Sequence, residues 1–275
     1  MKAYVFPGQG SQKQGMGQNL YNEIIDSRAL FKKANEILNF DITELMFEGT
    51  SEDLLQTRVT QPAIFIHSVI LALTTKSFNP DVCAGHSLGE FSALAASNSI
   101  SFEDGLKLVS IRANAMQKAC QNSEGTMAAI LGLPDEIIES SCNDIDGIVK
   151  PANYNCPGQL VISGEVKAVE KACEILKEKG AKRALILPVS GAFHSELMSS
   201  AVDELKKGID ETEFRKPDCP IYQNFTGKSE QDPSKIKINL FKQLTGAVLW
   251  NQSINQMIND GVEEFYEVGP GNTLQ

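Results

Sequence analysis

Short apolar runs alternate along the chain with longer stretches in which apolar residues recur every three or four positions. The runs at Lys2–Phe6 and Asp81–Ala84 are each followed by proline or glycine, and this pattern predicts two buried strands. Between residues 20 and 38 the apolar side chains keep helical spacing, which predicts a long amphipathic helix. Pro62 predicts the first residue of another helix, continuing to Thr75, because proline is favoured at that position.

The same alternation continues on both sides of the middle of the chain. Ser101 is predicted to cap a helix that runs to about Cys120, since acidic residues fill its first turn. Further helices are predicted at 90–96, 195–209, 234–244 and 250–260, and further strands at 219–223 and 264–268. Strands that alternate with helices in this way predict an α/β protein with a mainly parallel sheet covered by helices.

The middle of the chain, residues 123–189, has an element order of its own. Strands are predicted at 126–131, 147–152, 159–163 and 182–187, and helices at 134–142 and 166–179. The order β-α-β-β-α-β is typical of a ferredoxin-like unit, and it needs no strand from elsewhere. We therefore expect an inserted subdomain at 123–189 within a core formed by 1–122 and 190–275.

The net charge of the chain limits the kinds of molecule that it is expected to bind. Of the 275 residues, 42% are hydrophobic and 22% charged, which is typical of a globular protein with a substantial core. Acidic residues outnumber Lys and Arg by 35 to 25, giving a net charge of −10. This balance argues against nucleic acid or an anionic membrane as the main partner.

The cysteines and apolar segments bear on compartment and cofactors. Six cysteines occur without a CxxC pair and only three histidines are present, so no metal site is predicted. The apolar stretch at 63–73 is interrupted by His67 and Ser68 and is too short to span a bilayer. The first residues are too short an apolar run for a signal peptide. We expect a cytoplasmic protein with reduced thiols and, without a self-complementary apolar stripe, a monomer.

The strongest chemical signal is Gly85-His86-Ser87-Leu88-Gly89, which fits G-x-S-x-G between a predicted strand and a predicted helix. A serine at such a sharp turn lifts its hydroxyl clear of the sheet, and the flanking glycines permit the turn. The backbone N–H of Leu88 would then face the oxygen of a carbonyl that Ser87 attacks. The pattern predicts that Ser87 is a nucleophile, and the competing interpretation is a chance glycine-serine turn.

A nucleophilic serine needs a base, and each of the three histidines is a candidate. His67 lies within an apolar helix and is typical of a core residue. His86 adjoins Ser87, and neighbouring side chains point apart, so it is expected to shape the turn or contact substrate. His194 lies in a loop where the chain returns from the insertion to the core and is the preferred base, the alternative being a surface histidine at the start of a helix. No acidic residue stands in an obvious orienting position, so a serine-histidine dyad and a triad both remain open.

Two other segments carry possible binding groups. The loop Phe6–Gln12 follows the first strand but lacks the third glycine of a dinucleotide fingerprint, because position 13 is lysine. Such a loop can instead bring a second backbone N–H, that of Gln9, to an oxyanion, or it can be a simple tight turn. Arg112 lies among small and apolar residues of a predicted helix. It is either a surface charge or a buried fork for a planar anion such as a carboxylate.

Taken together, the motifs resemble the malonyl-CoA:acyl carrier protein transacylases of bacterial fatty-acid synthesis over essentially the whole chain. They are FPGQGSQ at Phe6–Gln12, GHSLGE at Gly85–Glu90, IRANAM at Ile111–Met116, ANYNCPGQLVISG at Ala152–Gly164, VSGAFHSELM at Val189–Met198 and EVGPGNTL at Glu267–Leu274. The resemblance implies an α/β-hydrolase-like core with a ferredoxin-like insertion, in agreement with the predicted elements.

The resemblance also implies roles for individual residues. Catalysis would use Ser87 as nucleophile, His194 as general base, N–H groups of Gln9 and Leu88 for the oxyanion, and Gln243 to orient the histidine region. Substrate would be bound by Arg112, which would clamp the malonyl carboxylate, and by His86, Phe193 and Asn153. Phe193 matches a pattern associated with malonyl rather than methylmalonyl selectivity.

The implied activity is transfer of a malonyl group from CoA to the phosphopantetheine thiol of acyl carrier protein, without a metal or bound cofactor. A stand-alone acyltransferase of polyketide synthesis and a serine hydrolase or thioesterase are the alternatives. Because both implied substrates are anionic, residues 165–183, with six basic and four acidic side chains, are expected to provide a local positive field.

Overall fold

The computed structural model describes residues 1–275. Residues 1–122 form two strands and six helices. In chain order these are β1 (Lys2–Phe6), α1 (Gln18–Glu23), α2 (Ile25–Leu38), α3 (Ile42–Glu48), α4 (Thr57–Thr74), β2 (Val82–Gly85), α5 (Gly89–Ala96) and α6 (Phe102–Asn122), with a 3₁₀ turn at Asp53–Leu55.

The remaining elements form two groups. The first contains β3 (Gly125–Leu131), α7 (Asp135–Asn143), β4 (Val149–Cys156), β5 (Gln159–Glu165), α8 (Val166–Glu178) and β6 (Arg183–Ile186). After a 3₁₀ turn at Glu196–Ala201, the second contains α9 (Val202–Glu211), β7 (Ile221–Gln223), β8 (Lys228–Glu230), α10 (Pro233–Lys242), α11 (Trp250–Asn259) and β9 (Glu264–Glu267).

The larger sheet is mixed and has the strand order β8-β7-β2-β1-β9. The three pairings that join β7, β2, β1 and β9 are parallel, and the short β8 is antiparallel to β7. The central strands β1 and β2 are almost entirely buried, because helices cover both faces of the sheet. The carboxyl ends of β1 and β2 lie side by side, with Phe6 paired to Gly85, and the two glycine loops begin there.

The smaller sheet has the order β4-β5-β3-β6, and all of its pairings are antiparallel. The elements follow the predicted order β-α-β-β-α-β. This unit has its own cluster of 14 buried apolar residues, separate from the main cluster of 47. Met127 and Val161 lie on the other face of the sheet and belong to the main cluster, so the small sheet packs against the core.

A backbone bridge joins the two units. Val248, in the segment before α11, donates its N–H to the carbonyl of Ala152 at 2.8 Å and accepts from the N–H of Tyr154 at 3.0 Å. Both partners belong to β4, the edge strand of the small sheet. The edge strand is therefore partly covered, and the position of the small sheet is fixed relative to the larger one.

Three predicted element boundaries are wrong. Pro62 is not the first residue of a helix but the sixth residue of α4. Most side chains of this helix are buried, and its packing compensates for the backbone hydrogen bond that proline cannot make. The helix predicted across residues 20–38 is two helices, because Ile24 has an extended backbone. The helix predicted at 195–209 begins as a 3₁₀ turn, with Ser195 as its cap.

No helix of the molecule has both the length and the apolar character that crossing a bilayer requires. All six cysteine thiols are free. No group of three or more His, Cys, Asp and Glu side chains is arranged to hold a metal ion.

Candidate active site

Ser87 lies in the sharp turn between β2 and α5, and its backbone has a left-handed φ of 51°. A Cβ at Gly85 would collide with the backbone of Gly89, and a Cβ at Gly89 would collide with the carbonyl of Phe6. Gly85 is therefore required by close packing within the turn, and Gly89 by close packing of the turn against β1. The side-chain oxygen of Asn224 accepts a hydrogen bond from the Ser87 N–H at 2.6 Å and so anchors the turn.

His194 is the histidine that contacts this serine. Its Nε2 is 2.8 Å from the Ser87 Oγ, and its Nδ1 lies 2.9 Å from the carbonyl of Gln243 and 3.2 Å from that of Gly246. Carbonyl oxygens only accept, so Nδ1 carries the proton and Nε2 can accept one from Ser87. The ring is thus oriented by backbone carbonyls, which is the dyad arrangement rather than the triad.

The backbone at these two residues is unusual. Four residues other than glycine have a positive φ, and two of them are asparagines, which tolerate it. The other two are Ser87 and His194, with φ of 51° and 60°. Strained backbone of this kind persists where surrounding structure enforces it, and it concentrates at functional sites.

Arg112 is buried, with 1% of its surface exposed. Its guanidinium donates to the Oε1 of Gln61 at 2.7 Å, to the Oγ of Ser87 at 3.0 Å and to the Oε1 of Gln243 at 3.2 Å. All three acceptors are uncharged, so the cation has hydrogen bonds but no ion-pair partner. Burial lowers the pKa of Arg112 to about 10, against the opposing charge of Glu90. Arg112 is therefore a buried fork, not a surface charge.

The neighbouring cation affects the histidine. Burial, and secondly the charge of Arg112, lower the pKa of His194 to about 3. The imidazole is accordingly neutral at physiological pH, the form that can accept a proton from a hydroxyl.

Two backbone N–H groups at the cleft have no acceptor within the protein. They are those of Gln9 and Leu88, and both residues line the cleft that contains Ser87. The Gly8 backbone comes so close to His86 that a Cβ there would collide with the His86 carbonyl. This contact holds the Phe6–Gln12 loop against the serine turn, as an oxyanion hole made by two loops would require.

The cleft has a volume of about 110 Å³ and lies between the core and the small sheet. Eight of the nine site residues predicted from the sequence line it; Gln243 instead lies behind Arg112 and Ser87, with its amide donating to the Ser87 carbonyl at 3.0 Å. The apolar wall comes from both units, namely Met116, Met127, Leu187, Val189 and Phe193.

The other two histidines occupy different surroundings. His86 lies at the cleft, with its Nε2 3.0 Å from the Oδ1 of Asn155 and its ring edge against Trp250. Burial lowers its pKa. His67 is buried in α4 and does not line the cleft. The structure therefore brings His86 and His194 to the serine and leaves His67 in the interior.

Sequence reasoning missed three polar residues next to the site. Gln61 holds Arg112, Asn224 holds Ser87, and Glu90 accepts hydrogen bonds from Asn224 and Gln243. Gln61 and Glu90 had a signal, since each is a polar residue within an apolar helical stretch. Asn224 had none, because its contact with Ser87 spans 137 positions of the chain.

A strained serine hydrogen-bonded to a histidine, beside two N–H groups without partners, is an arrangement suited to acyl transfer through a covalent ester. Comparison with known families agrees, since the model of the acyl transferase domain matches residues 3–275. The chain belongs to this family.

Within it, the chain groups with the malonyl CoA-acyl carrier protein transacylases. It is 43% identical to the protein of that name from Bacillus subtilis (strain 168), covering 99% of this chain and 87% of the relative. It is also 43% identical to the one from Staphylococcus aureus (strain MRSA252), covering 99% of this chain and 89% of the relative.

Solved structures give the same grouping. The acyl carrier protein S-malonyltransferase of Vibrio cholerae aligns with a TM-score of 0.95 at 44% identity, over 99% of this chain and 91% of that one. A malonyl-transacylase in complex with a type II PKS acyl-carrier protein aligns with a TM-score of 0.95 at 38% identity, over 99% of this chain and 90% of that one.

Proposed function

We propose that this chain moves a malonyl group from CoA to the phosphopantetheine thiol of acyl carrier protein, through an ester on Ser87, in fatty-acid synthesis. One observation carries the proposal beyond family membership: the Nη2 of the buried Arg112 lies 3.0 Å from the Ser87 Oγ. An acyl group on Ser87 that ends in a carboxylate would meet this guanidinium within the cleft.

In the first half-reaction, the Ser87 hydroxyl gives its proton to Nε2 of His194 as its oxygen attacks the thioester carbonyl of malonyl-CoA. The negative oxygen of the tetrahedral intermediate accepts from the N–H groups of Gln9 and Leu88. The intermediate collapses with cleavage of the carbon–sulfur bond, and the departing CoA thiolate takes the proton from His194. Losing one such N–H donor typically slows a reaction of this kind by about a hundredfold or more.

The second half-reaction repeats these steps with a new nucleophile. The phosphopantetheine thiol gives its proton to His194 and attacks the ester carbonyl, and the bond to Ser87 breaks as the serine oxygen regains the proton. Every proton moves between substrate and protein groups. The proposal therefore includes no metal and no bound cofactor.

Arg112 accounts for selectivity in two ways. A malonyl carboxylate pairs with the guanidinium, whereas acetyl leaves that buried cation unpaired. Pairing also offsets the positive charge that lowers the pKa of His194. Malonyl paired with Arg112 therefore makes His194 a stronger base, whereas acetyl-CoA does not.

A specific observation keeps polyketide synthesis as the second candidate pathway. One similar structure is that of a malonyl-transacylase bound to a type II PKS acyl-carrier protein. The chemistry at Ser87 is the same in both pathways, so the cognate carrier protein separates them.

We also propose fold assignments for the core and for the inserted subdomain. The sheet order of 123–189 and its separate core support a ferredoxin-like subdomain inserted in an α/β-hydrolase-like core of 1–122 and 190–275. Cytoplasmic location and a monomeric state remain predictions.

The test is the fate of the acyl group. The malonyl-loaded protein is mixed with phosphopantetheinylated acyl carrier protein, and malonyl on the carrier is compared with free malonate. The proposal expects most of the malonyl group on the carrier. Rapid loss to water with none on the carrier would instead indicate a hydrolase.

A further inference from the structure

Glu90, the second residue of α5, is a buried acid that the proposed steps do not use. None of its surface is exposed. The ten ion pairs of the molecule include neither Glu90 nor Arg112. A fully buried acid without a direct cation is uncommon, because transferring a charge out of water is costly unless it is compensated.

Burial raises the pKa of Glu90, whereas its hydrogen bonds and the charge of Arg112 act to lower it. Its Oε1 accepts from the side-chain amide of Gln223 at 2.9 Å. Its Oε2 accepts from the backbone N–H of Asn224 at 2.9 Å and from the Nε2 of Gln243 at 3.0 Å. All three neighbours are N–H donors, and none offers an acceptor for a carboxyl proton. The contacts therefore suit an ionised carboxylate.

Gln243 lies between this carboxylate and Arg112. Its Nε2 donates to Glu90, and its Oε1 accepts from Nη2 of Arg112 at 3.2 Å. One amide thus separates the two buried charges. Glu90 is also the charged group that acts on the pKa of Arg112, in the direction that favours the cation.

We propose that Glu90 is a positioning residue that acts through Gln243, and that its charge sets how strongly Arg112 holds the carboxylate of the acyl group. This inference rests on the proposed function. A carboxylate in direct contact with Arg112 would compete with the substrate. With no carboxylate nearby, the buried cation would hold the substrate more strongly. Because the amide of Gln243 separates the two groups, Glu90 offsets the charge of Arg112 in the empty site. It also leaves the guanidinium available to bind the substrate carboxylate.

Glu90→Gln removes the charge with little change in shape and tests the proposal. The measurement is the ratio of kcat/KM for malonyl-CoA to that for acetyl-CoA. Removing a negative charge near the site favours binding of a substrate carboxylate, so the ratio should rise by about tenfold. A purely structural role would lower both values together and leave the ratio unchanged.

Ser92→Ala is the matched control. Ser92 is buried in the same helix, and its hydroxyl has no hydrogen-bond partner. This variant perturbs α5 without changing charge, and the ratio should equal that of the wild type.

The double variant Glu90→Gln with Gln243→Glu moves the carboxylate one amide closer and keeps the total charge. A carboxylate at position 243 would contact Arg112 directly and compete with malonyl, so the ratio should fall at least about tenfold below wild type. This variant decides the question if Glu90→Gln alone does not fold, as judged by its thermal unfolding transition.

The outcomes separate this inference from the proposed function. If the wild type forms no malonyl adduct, the proposed function fails. If the wild type prefers malonyl-CoA but folded Glu90→Gln keeps the same ratio or a lower one, the role of Glu90 is overturned. An unchanged ratio in the double variant would overturn it as well.

Discussion

Arg112 shows how far a single residue can be predicted from the sequence. Its position among small and apolar residues left open both a surface charge, the usual case, and a buried fork. The structure decides for the fork, because α4 and α6 enclose the side chain and Gln61 and Gln243 orient it. Ser87 and Gln9 were predictable, since each lies in a local motif. Asn224 was not, because only the tertiary fold brings it to Ser87.

Replacing Arg112 by alanine should separate the two substrates. The variant loses the partner of the malonyl carboxylate, so kcat/KM for malonyl-CoA should fall by at least about a hundredfold. Acetyl transfer should be kept or increased, because acetyl no longer leaves a buried cation unpaired. Steady-state assays with both thioesters measure this. Equal loss of both activities would mean that Arg112 has only a structural role.

The serine turn was predicted because its structure is local. Glycines at 85 and 89, a preceding apolar strand and a following Ala- and Leu-rich helix are all visible in the sequence. The position of Pro62 was mispredicted because tertiary burial of α4 overrides the preference of proline for the first turn. β8 was missed because its three residues, Lys228–Glu230, are all polar and show no apolar pattern.

Gly89→Ala tests whether the turn must pack against β1. A Cβ there meets the backbone carbonyl of Phe6, which cannot rotate away. We expect a loss of about 1–3 kcal/mol in the free energy of unfolding, together with slower acylation. Chemical denaturation and the rate of malonyl loading measure the two effects.

Gly158→Ala is the control for this change, because no atom lies within contact distance of a Cβ there and only the backbone conformation is strained. It should cost about 1–2 kcal/mol and leave the loading rate unchanged. Normal loading by Gly89→Ala would contradict the packing argument.

At the scale of the whole molecule, all three histidines have a lowered pKa, chiefly because of burial. The pKa of His67 falls to about 4 and that of His194 to about 3. Unfolding exposes them to water, where they bind protons near pH 6.5. Below that pH the unfolded state therefore binds more protons than the folded state, and the free energy of unfolding decreases as pH falls.

His67→Gln tests this dependence at a residue outside the cleft. Each buried histidine contributes a slope of up to about 1.4 kcal/mol per pH unit between its folded and unfolded pKa values. In the variant, the free energy of unfolding should lose that contribution to its slope between about pH 6.5 and 4. Above pH 7 its pH dependence should match that of the wild type. Urea denaturation across this range measures it. Parallel curves for the two proteins would show that His67 does not contribute.

For docking of the carrier protein, we expect the local distribution of charge to matter more than the net charge of −10. Lys182 and Arg183 lie at the start of β6, and Leu187, just beyond its end, lines the cleft. Reversing both charges to glutamate should raise the KM for the acidic carrier protein at low salt, and the effect should shrink as salt screens it. An unchanged KM would place carrier docking elsewhere on the surface.

The central claim is that Ser87 carries the malonyl group between the two thiols. The most direct measurement is intact-protein mass spectrometry of the wild type and Ser87→Ala after mixing with malonyl-CoA. The wild type should gain the mass of one malonyl group, and Ser87→Ala should gain none. A malonyl adduct that persists in Ser87→Ala, or its absence from the folded wild type, would contradict the account.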